Sequence, residues 1–261
     1  MAAPESIFVT GAARGIGLAI VRRFAAAGHT VGAVDVDEAE LANMKTEAAQ
    51  HGWSLWTSPM DVTDIDAWQR TLRDFVGTTG GRLDILVNNA GVLAAGQFVD
   101  IPRQRHKQIV DVNVTGVMFG CHAAFEYLRD TAGARVLNLC SASAIYGQAE
   151  LASYSATKFA VRGLTEALDL EWRRHDITVS ALWPLFVDTA MLTGVHTGTT
   201  ESLGIHLTPD DIADAAWRAL HRKRGMPKVH YPVGTQTKLA YYFSQVSPTW
   251  MWRLVNKRLS H

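Results

Sequence analysis

The sequence predicts an α/β fold in which a doubly wound, mostly parallel sheet carries helices on both faces. Three observations predict it. Short apolar runs alternate with longer helical patterns from the start of the chain. A glycine-rich turn, Thr10 to Gly17, joins the first run to the first helical pattern. The 261 residues suffice for one large core and are too few for two comfortable ones. Parallel strands need crossovers, and right-handed crossovers place helices on both faces of the sheet.

Taken in order, Ile7-Phe8-Val9 is the first strand and Gly15 to Ala27 the first helix; Thr30 to Val34 and Asp37 to Gln50 repeat the unit. Ile85-Leu86-Val87 is a further strand, followed by a long helical stretch from Pro102 to Arg129. Val136 to Leu139 leads to a helix from about Ala152 to Arg174, and the last strands are expected at Ile177 to Leu182 and Lys228 to Pro232. Residues 1–261 are therefore expected to form one domain. Two stretches break the rhythm. Phe186 to Leu207 is rich in Thr, Gly and His, reads as a long loop or broken helices, and is a candidate lid. The tail from about residue 235 to 261 is aromatic and interrupted by Pro248.

Composition narrows the partners. Twenty-five basic residues balance twenty-five acidic ones, which argues against a sequence-wide attraction to nucleic acid or an anionic membrane. Cys121 and Cys140, the two cysteines, both sit in apolar stretches, so a disulfide framework is not expected and a reducing cytoplasm fits. Met1 to Ser6 lacks the features of a secretory signal, and no run of roughly 18 apolar residues offers a spanning helix. No metal-ligand pattern stands out.

The turn Thr10-Gly11-Ala12-Ala13-Arg14-Gly15-Ile16-Gly17 follows a strand and opens a helix, where backbone N–H groups and the helix dipole meet a dinucleotide pyrophosphate. Asp35 ends the second strand 18 residues beyond Gly17, close to the roughly 20-residue offset at which an acidic group meets the adenosine ribose. A carboxylate there accepts from the ribose hydroxyls and repels a 2′-phosphate, so NAD is expected over NADP. Asp37 competes for the same role, and Arg14 could welcome a 2′-phosphate.

Tyr154 and Lys158 stand four apart on an Ala-rich helical stretch, so both emerge from one face. A phenol is a weak base near neutrality, and a nearby ammonium together with an oxidised nicotinamide favours its phenolate. With these motifs in order, and with Asp61-Val62, Asn88-Asn89-Ala90-Gly91, Asn113, Ser141 and Tyr154-Ser155-Ala156-Thr157-Lys158, nearly the whole chain resembles the compact, single-domain short-chain dehydrogenase/reductase family, whose fold is Rossmann-like.

That resemblance implies a hydride transfer between a nicotinamide dinucleotide and an alcohol or ketone, with Asn113, Ser141, Tyr154 and Lys158 as the reacting set. Ser141 would hold the substrate oxygen beside Tyr154, with Ser143 the rival position. Lys158 would also bind the nicotinamide ribose, and Asn113, odd in a helix among β-branched neighbours, would fix a water in a proton relay. Asp61 and Val62 would hold adenine, although Asp61-Val62-Thr63 could equally cap a helix. Asn89, Ala90 and Gly91 would shape the pocket. Pro184, Val187 and Thr189 would grip the carboxamide, with Leu185 standing where the family commonly has glycine.

Substrate contacts are expected from Ser141 and from the Phe186 to Leu207 segment, Phe186 included, with Tyr146, Gln148 and the Leu93 to Gln97 loop nearby; most side chains there are apolar, which suggests an uncharged, fairly bulky secondary alcohol or ketone. His196 and His206 could orient a polar substituent. A reductase of thioester-linked ketoacyl groups and a non-catalytic cofactor-sensing protein are the alternatives. The partners expected are a small molecule and further copies of the chain, as a homodimer or homotetramer. For the tail, ordinary packing or oligomerisation is expected ahead of membrane contact through its Trp residues and Arg253, Lys257 and Arg258.

Overall fold

A computed structural model describes residues 4–192, 197–198, 202, 204–222 and 228–259. Among these residues the chain runs β1 (Ser6–Thr10), α1 (Gly15–Ala25), β2 (Thr30–Asp35), α2 (Glu38–His51), β3 (Leu55–Pro59), α3 (Ile65–Thr78) and β4 (Ile85–Asn88). It continues with α4 (Arg103–Val110), a π-helical segment (Asp111–Thr115), α5 (Gly116–Arg129), β5 (Arg135–Leu139), α6 (Ala152–Trp172) and β6 (Thr178–Trp183). Last come α7 (Pro209–Leu220), β7 (His230–Pro232), α8 (Thr235–Ser244) and α9 (Thr249–Leu259). The seven strands form one sheet in the order β3-β2-β1-β4-β5-β6-β7, parallel at every pairing.

Strand side chains alternate between two cores. Ile7, Val9, Val31, Ala33, Ile85 and Val87 face the layer built with α1 and α7. Phe8, Val34, Leu86, Val136 and Trp183 face the layer built with α3, α5 and α6. Because both faces are covered, the central strands read as continuous apolar runs. Helix starts are fixed by side chains that accept free N–H groups: Asp37 takes Glu40 N, Asp64 takes Asp66 N and Ala67 N, and Thr208 forms a capping box with Asp211. Each such cap contributes about 1 kcal/mol.

The alternation predicted from the sequence is present, and the sheet is parallel throughout. Within the body of the sheet and its helices, three elements were not legible. β3, with the sequence LWTSP, is a half-buried edge strand with little apolar signal; α3 and α7 follow short acidic caps within stretches that the strand rhythm passes over. The expected helix from Pro102 to Arg129 divides at the π-helical segment, which re-aims the residues around Asn113. In the expected lid, Ala190–Leu192 form a short 3-10 turn and Val187 pairs with Leu207; His196 lies outside the described residues. The tail forms two helices, α8 and α9. Among the described residues, no helix is long and apolar enough to cross a membrane.

At the edge where the strands begin, His29 packs against Phe24 and Trp217, and its Nδ1 accepts from Glu5 N at 3.0 Å. Burial, opposed in part by Glu5, holds His29 below its ordinary value of 6.5, and burial does the same for His230 against Trp183. The unfolded chain therefore takes up these protons before the folded one does. Stability from this source is complete above pH 6.5 and is lost as pH falls through that value. Tm followed from pH 8 to about 5 is expected to be flat and then to drop, and His29→Gln should shrink the drop. A drop of the same size in that variant would remove His29 as its cause.

Candidate active site

β1 pairs with β2 on one side and β4 on the other, so the chain leaves the carboxyl ends of β1 and β4 in opposite directions. In a doubly wound sheet this reversal opens a crevice. A cleft of about 660 Å³ lies there, bordered by Gly11, Arg14, Gly15, Ile16, Asp35, Asp61, Val62, Asn89, Ala90 and Gly91 on one side, and by Ser141, Tyr154, Lys158, Pro184, Phe186, Val187 and Thr189 on the other.

The glycine turn is held by backbone demands. Gly11 adopts φ +60°, and a Cβ there would stand 2.7 Å from Ala90 Cα. Gly17 does not border the cleft; it lets α1 close onto the turn, since a Cβ would lie 2.1 Å from Gly11 O. Across the sheet, Asn89 Nδ2 donates to Thr10 O at 2.9 Å and Gly11 O at 2.8 Å. Thr10 Oγ1 accepts from Asn89 N and Ala90 N, each at 3.1 Å. The turn after β1 and the turn after β4 are thereby one unit.

Asp35 accepts from Ala13 N through Oδ2 at 3.0 Å and from Asp37 N through Oδ1 at 3.1 Å, which fixes its carboxylate at the cleft rim. Arg14, the cation that could serve a 2′-phosphate, is ion-paired with Asp37. Asp61 Oδ1 accepts from Thr63 N and Oγ1, while the cap of α3 is Asp64, so the capping role considered for Asp61 belongs three residues later.

On the other side, Lys158 is buried and its Nζ donates to Leu139 O at 2.7 Å, which brings the ammonium to 5.4 Å from the centre of the Tyr154 ring. Ser141, two residues beyond β5, accepts from Ser143 N and donates to Ser143 Oγ at 3.2 Å; Ser143 in turn donates to Gln148 Oε1 at 2.9 Å. Both serines border the cleft. Asn113 does not. Its Oδ1 accepts from Val92 N at 2.8 Å, and its Nδ2 donates to Val92 O at 2.8 Å and Thr157 Oγ1 at 3.2 Å, so it ties the loop after β4 to α6.

Two expected substrate contacts fall elsewhere. Tyr146 and Gln148 do not border the cleft; Gln148 is turned inward onto Ser143, and its backbone N–H donates to Ser155 Oγ. The residues that sequence reasoning missed are apolar or backbone-bound: Val36, Met60, Leu151 and Ala190 reach the cleft, as does Arg105, whose guanidinium is engaged by Leu93 O and Gln108. None carries a motif. Cys140 also borders the cleft, but burial pushes its thiol up to about 11, which suits a core residue and not a nucleophile. Among the described residues, one group of metal-ligating type gathers, Glu5 with His29 and His221; it lies at the opposite edge of the sheet, with Arg135 paired to Glu5.

The sequence profile described as short chain dehydrogenase matches residues 5–199. The chain belongs to the short-chain dehydrogenases. A diacetyl reductase, (S)-acetoin forming, from Staphylococcus epidermidis is 32% identical over 188 residues, 72% of this chain and 73% of the relative. A 3-alpha-(or 20-beta)-hydroxysteroid dehydrogenase from Mycobacterium tuberculosis is 35% identical over 183 residues, 70% of this chain and 69% of the relative. Among solved structures, a 3-ketoacyl-(acyl-carrier-protein) reductase from Brucella melitensis complexed with NADH superposes with a TM-score of 0.80 at 28% identity, covering 88% of this chain and 96% of that one. This short-chain dehydrogenase is an oxidoreductase that interconverts alcohols and ketones by hydride transfer.

Gly17→Ala is expected to force α1 away from the turn and lower stability by about 1–3 kcal/mol in urea denaturation. An unchanged midpoint and slope would mean that the turn has room the structure does not give it.

Proposed function

We propose that this short-chain dehydrogenase interconverts an uncharged, fairly bulky secondary alcohol and its ketone, with NAD as the hydride partner and Tyr154 as the acid/base. The observation that carries this reading is that Ser141, Tyr154 and Lys158 border the same cleft as the glycine turn and Asp35.

The residues fit a dinucleotide. The glycine turn leaves backbone N–H groups at the start of α1 for a pyrophosphate. The Asp35 carboxylate suits ribose hydroxyls, and Val36, Met60 and Val62 offer apolar surface to a base. NAD is favoured because a 2′-phosphate would meet Asp35, while Arg14 is already occupied by Asp37. The Brucella reductase, similar in fold, binds NADH. When bound, the nicotinamide supplies or takes up the hydride.

The chain's own groups do the rest. In oxidation Tyr154 takes the proton of the substrate hydroxyl; in reduction it gives one to the ketone oxygen. Ser141 turns its hydroxyl from Ser143 to that oxygen and holds it beside Tyr154. The Lys158 ammonium, fixed by Leu139 O, favours the phenolate electrostatically. Asn113 is a positioning residue that keeps α6 in register with the loop after β4. Leu93, Leu151, Leu185, Phe186 and Met191 give the substrate side an apolar wall, and the one guanidinium there is engaged. A thioester-linked ketone is the second reading, supported by the likeness to the Brucella enzyme.

Tyr154→Phe should lower kcat by about 10²–10⁴-fold while the Kd for NADH, read by fluorescence titration, stays within about two-fold. Unchanged turnover would sink the assignment. With a panel of alcohols, ketones and a ketoacyl thioester, kcat/KM is expected to favour NAD over NADP by about ten-fold or more, and Asp35→Ser to narrow that ratio. A wild-type preference for NADP would overturn the role given to Asp35.

A further inference from the structure

We propose that the hairpin formed by α8 and α9 docks this enzyme on an anionic lipid surface. The hairpin lies beyond the residues matched by the family profile. Residues 235–261 contain Lys238, Arg253, Lys257 and Arg258 and no Asp or Glu. In a chain whose charges balance, the cations are thus concentrated here, and the remainder carries an acidic excess.

The same hairpin exposes large apolar side chains. Leu239 is 68% exposed, Val246 81%, and Trp250 63%, with Tyr242, Phe243 and Leu254 also exposed. Their spacing makes this a surface and not a scatter. On α8, Leu239, Tyr242 and Phe243 follow the i, i+3, i+4 spacing of one helix stripe, and Val246 is exposed in the turn that follows. On α9, Trp250, Arg253, Leu254 and Lys257 follow the same pattern, so apolar anchors and cations share a face. That mixture suits the headgroup boundary, where rings and aliphatic chains sink and the cations meet phosphate. The inward side is secured separately: Tyr241 packs edge-on to Trp183 at 5.4 Å and Thr237 is buried, while the half-exposed Phe243 meets Trp252 at 5.8 Å and joins the two helices.

Charge selects the occupant. Two copies of this face packed together would oppose their cations with no acidic group from the segment between them. An anionic bilayer supplies the missing charge. The helices have 10 and 11 residues, about half of what a span requires, so they lie on the surface. Since every strand is parallel, β7 ends at the cleft edge of the sheet and α8 starts there. Docking therefore sets the cleft edge close to the medium in which an apolar alcohol or ketone accumulates; this consequence rests on the proposed substrate class, and the docking does not.

The test is co-sedimentation of the full chain with large vesicles of equal parts phosphatidylglycerol and phosphatidylcholine, and with phosphatidylcholine alone. Partition onto the anionic vesicles is expected, weaker by at least about ten-fold on phosphatidylcholine or at about 0.5 M NaCl. Arg253→Gln with Lys257→Gln and Arg258→Gln should lower it by about ten-fold or more at unchanged Tm and unchanged turnover. Trp250→Ser with Leu254→Ser should lower it by a similar factor. Absence of partition, or partition indifferent to lipid charge and salt, overturns the proposal. So does light scattering that shows an oligomer dissolved by the Trp250→Ser, Leu254→Ser variant without vesicle binding, which would make a second copy the occupant. Vesicle binding with no activity on bulky ketones would defeat the substrate assignment and leave the docking intact.

Discussion

The amide of Asn89 is the contact on which the site depends. It donates to the carbonyls of Thr10 and Gly11, while the Thr10 hydroxyl takes the N–H groups of Asn89 and Ala90. β1 and β4 are neighbours in the sheet but far apart in the chain, and their exits diverge to open the crevice. Loops leaving opposite ways have exposed backbone groups that neither strand ladder satisfies. This clasp satisfies them and so fixes both walls of that side of the cleft at once. Removing such a partner leaves part-buried polar groups unpaired, at up to about 1–3 kcal/mol each.

The reacting side is organised on the same plan, with functional side chains anchored to backbone. Lys158 rests on Leu139 O, and Asn113 on both backbone groups of Val92. Below them Asn88 donates to Asn138, and Asn138 to Thr165, a fully buried polar chain that links β4, β5 and α6. α6, which carries Tyr154 and Lys158, is therefore registered against the sheet by directional bonds, where apolar contact alone would allow sliding. The π-helical turn at Asp111–Thr115 is part of this registration, because an ordinary helical turn would aim Asn113 elsewhere.

Legibility in the sequence followed physical locality. The buried strands showed as apolar runs because both their faces are covered, and the glycine turn showed because backbone approach excludes a Cβ at Gly11 and Gly17. β3 did not show, since an edge strand with half-exposed residues has no such run. The apolar wall of the cleft was equally silent: Leu151 or Met60 carries no signal that distinguishes a pocket from a core. Gln148, placed near the substrate by resemblance, turns its side chain inward because the Ser143 hydroxyl offers its Oε1 a buried donor, while its backbone N–H donates to Ser155 Oγ.

By itself the sequence determined the alternation of strands and helices, the glycine turn, Asp35 at the end of its strand, and the Tyr154 and Lys158 pair. Each is set by local periodicity or by a steric demand at one residue. Only the tertiary structure decided which of these meet: the pairing of β1 with β4, the engagement of Arg14 by Asp37, the inward turn of Gln148 and the outward face of the C-terminal hairpin. Those outcomes depend on contacts between residues distant in the chain, where competition among partners for a limited set of donors and acceptors settles the geometry.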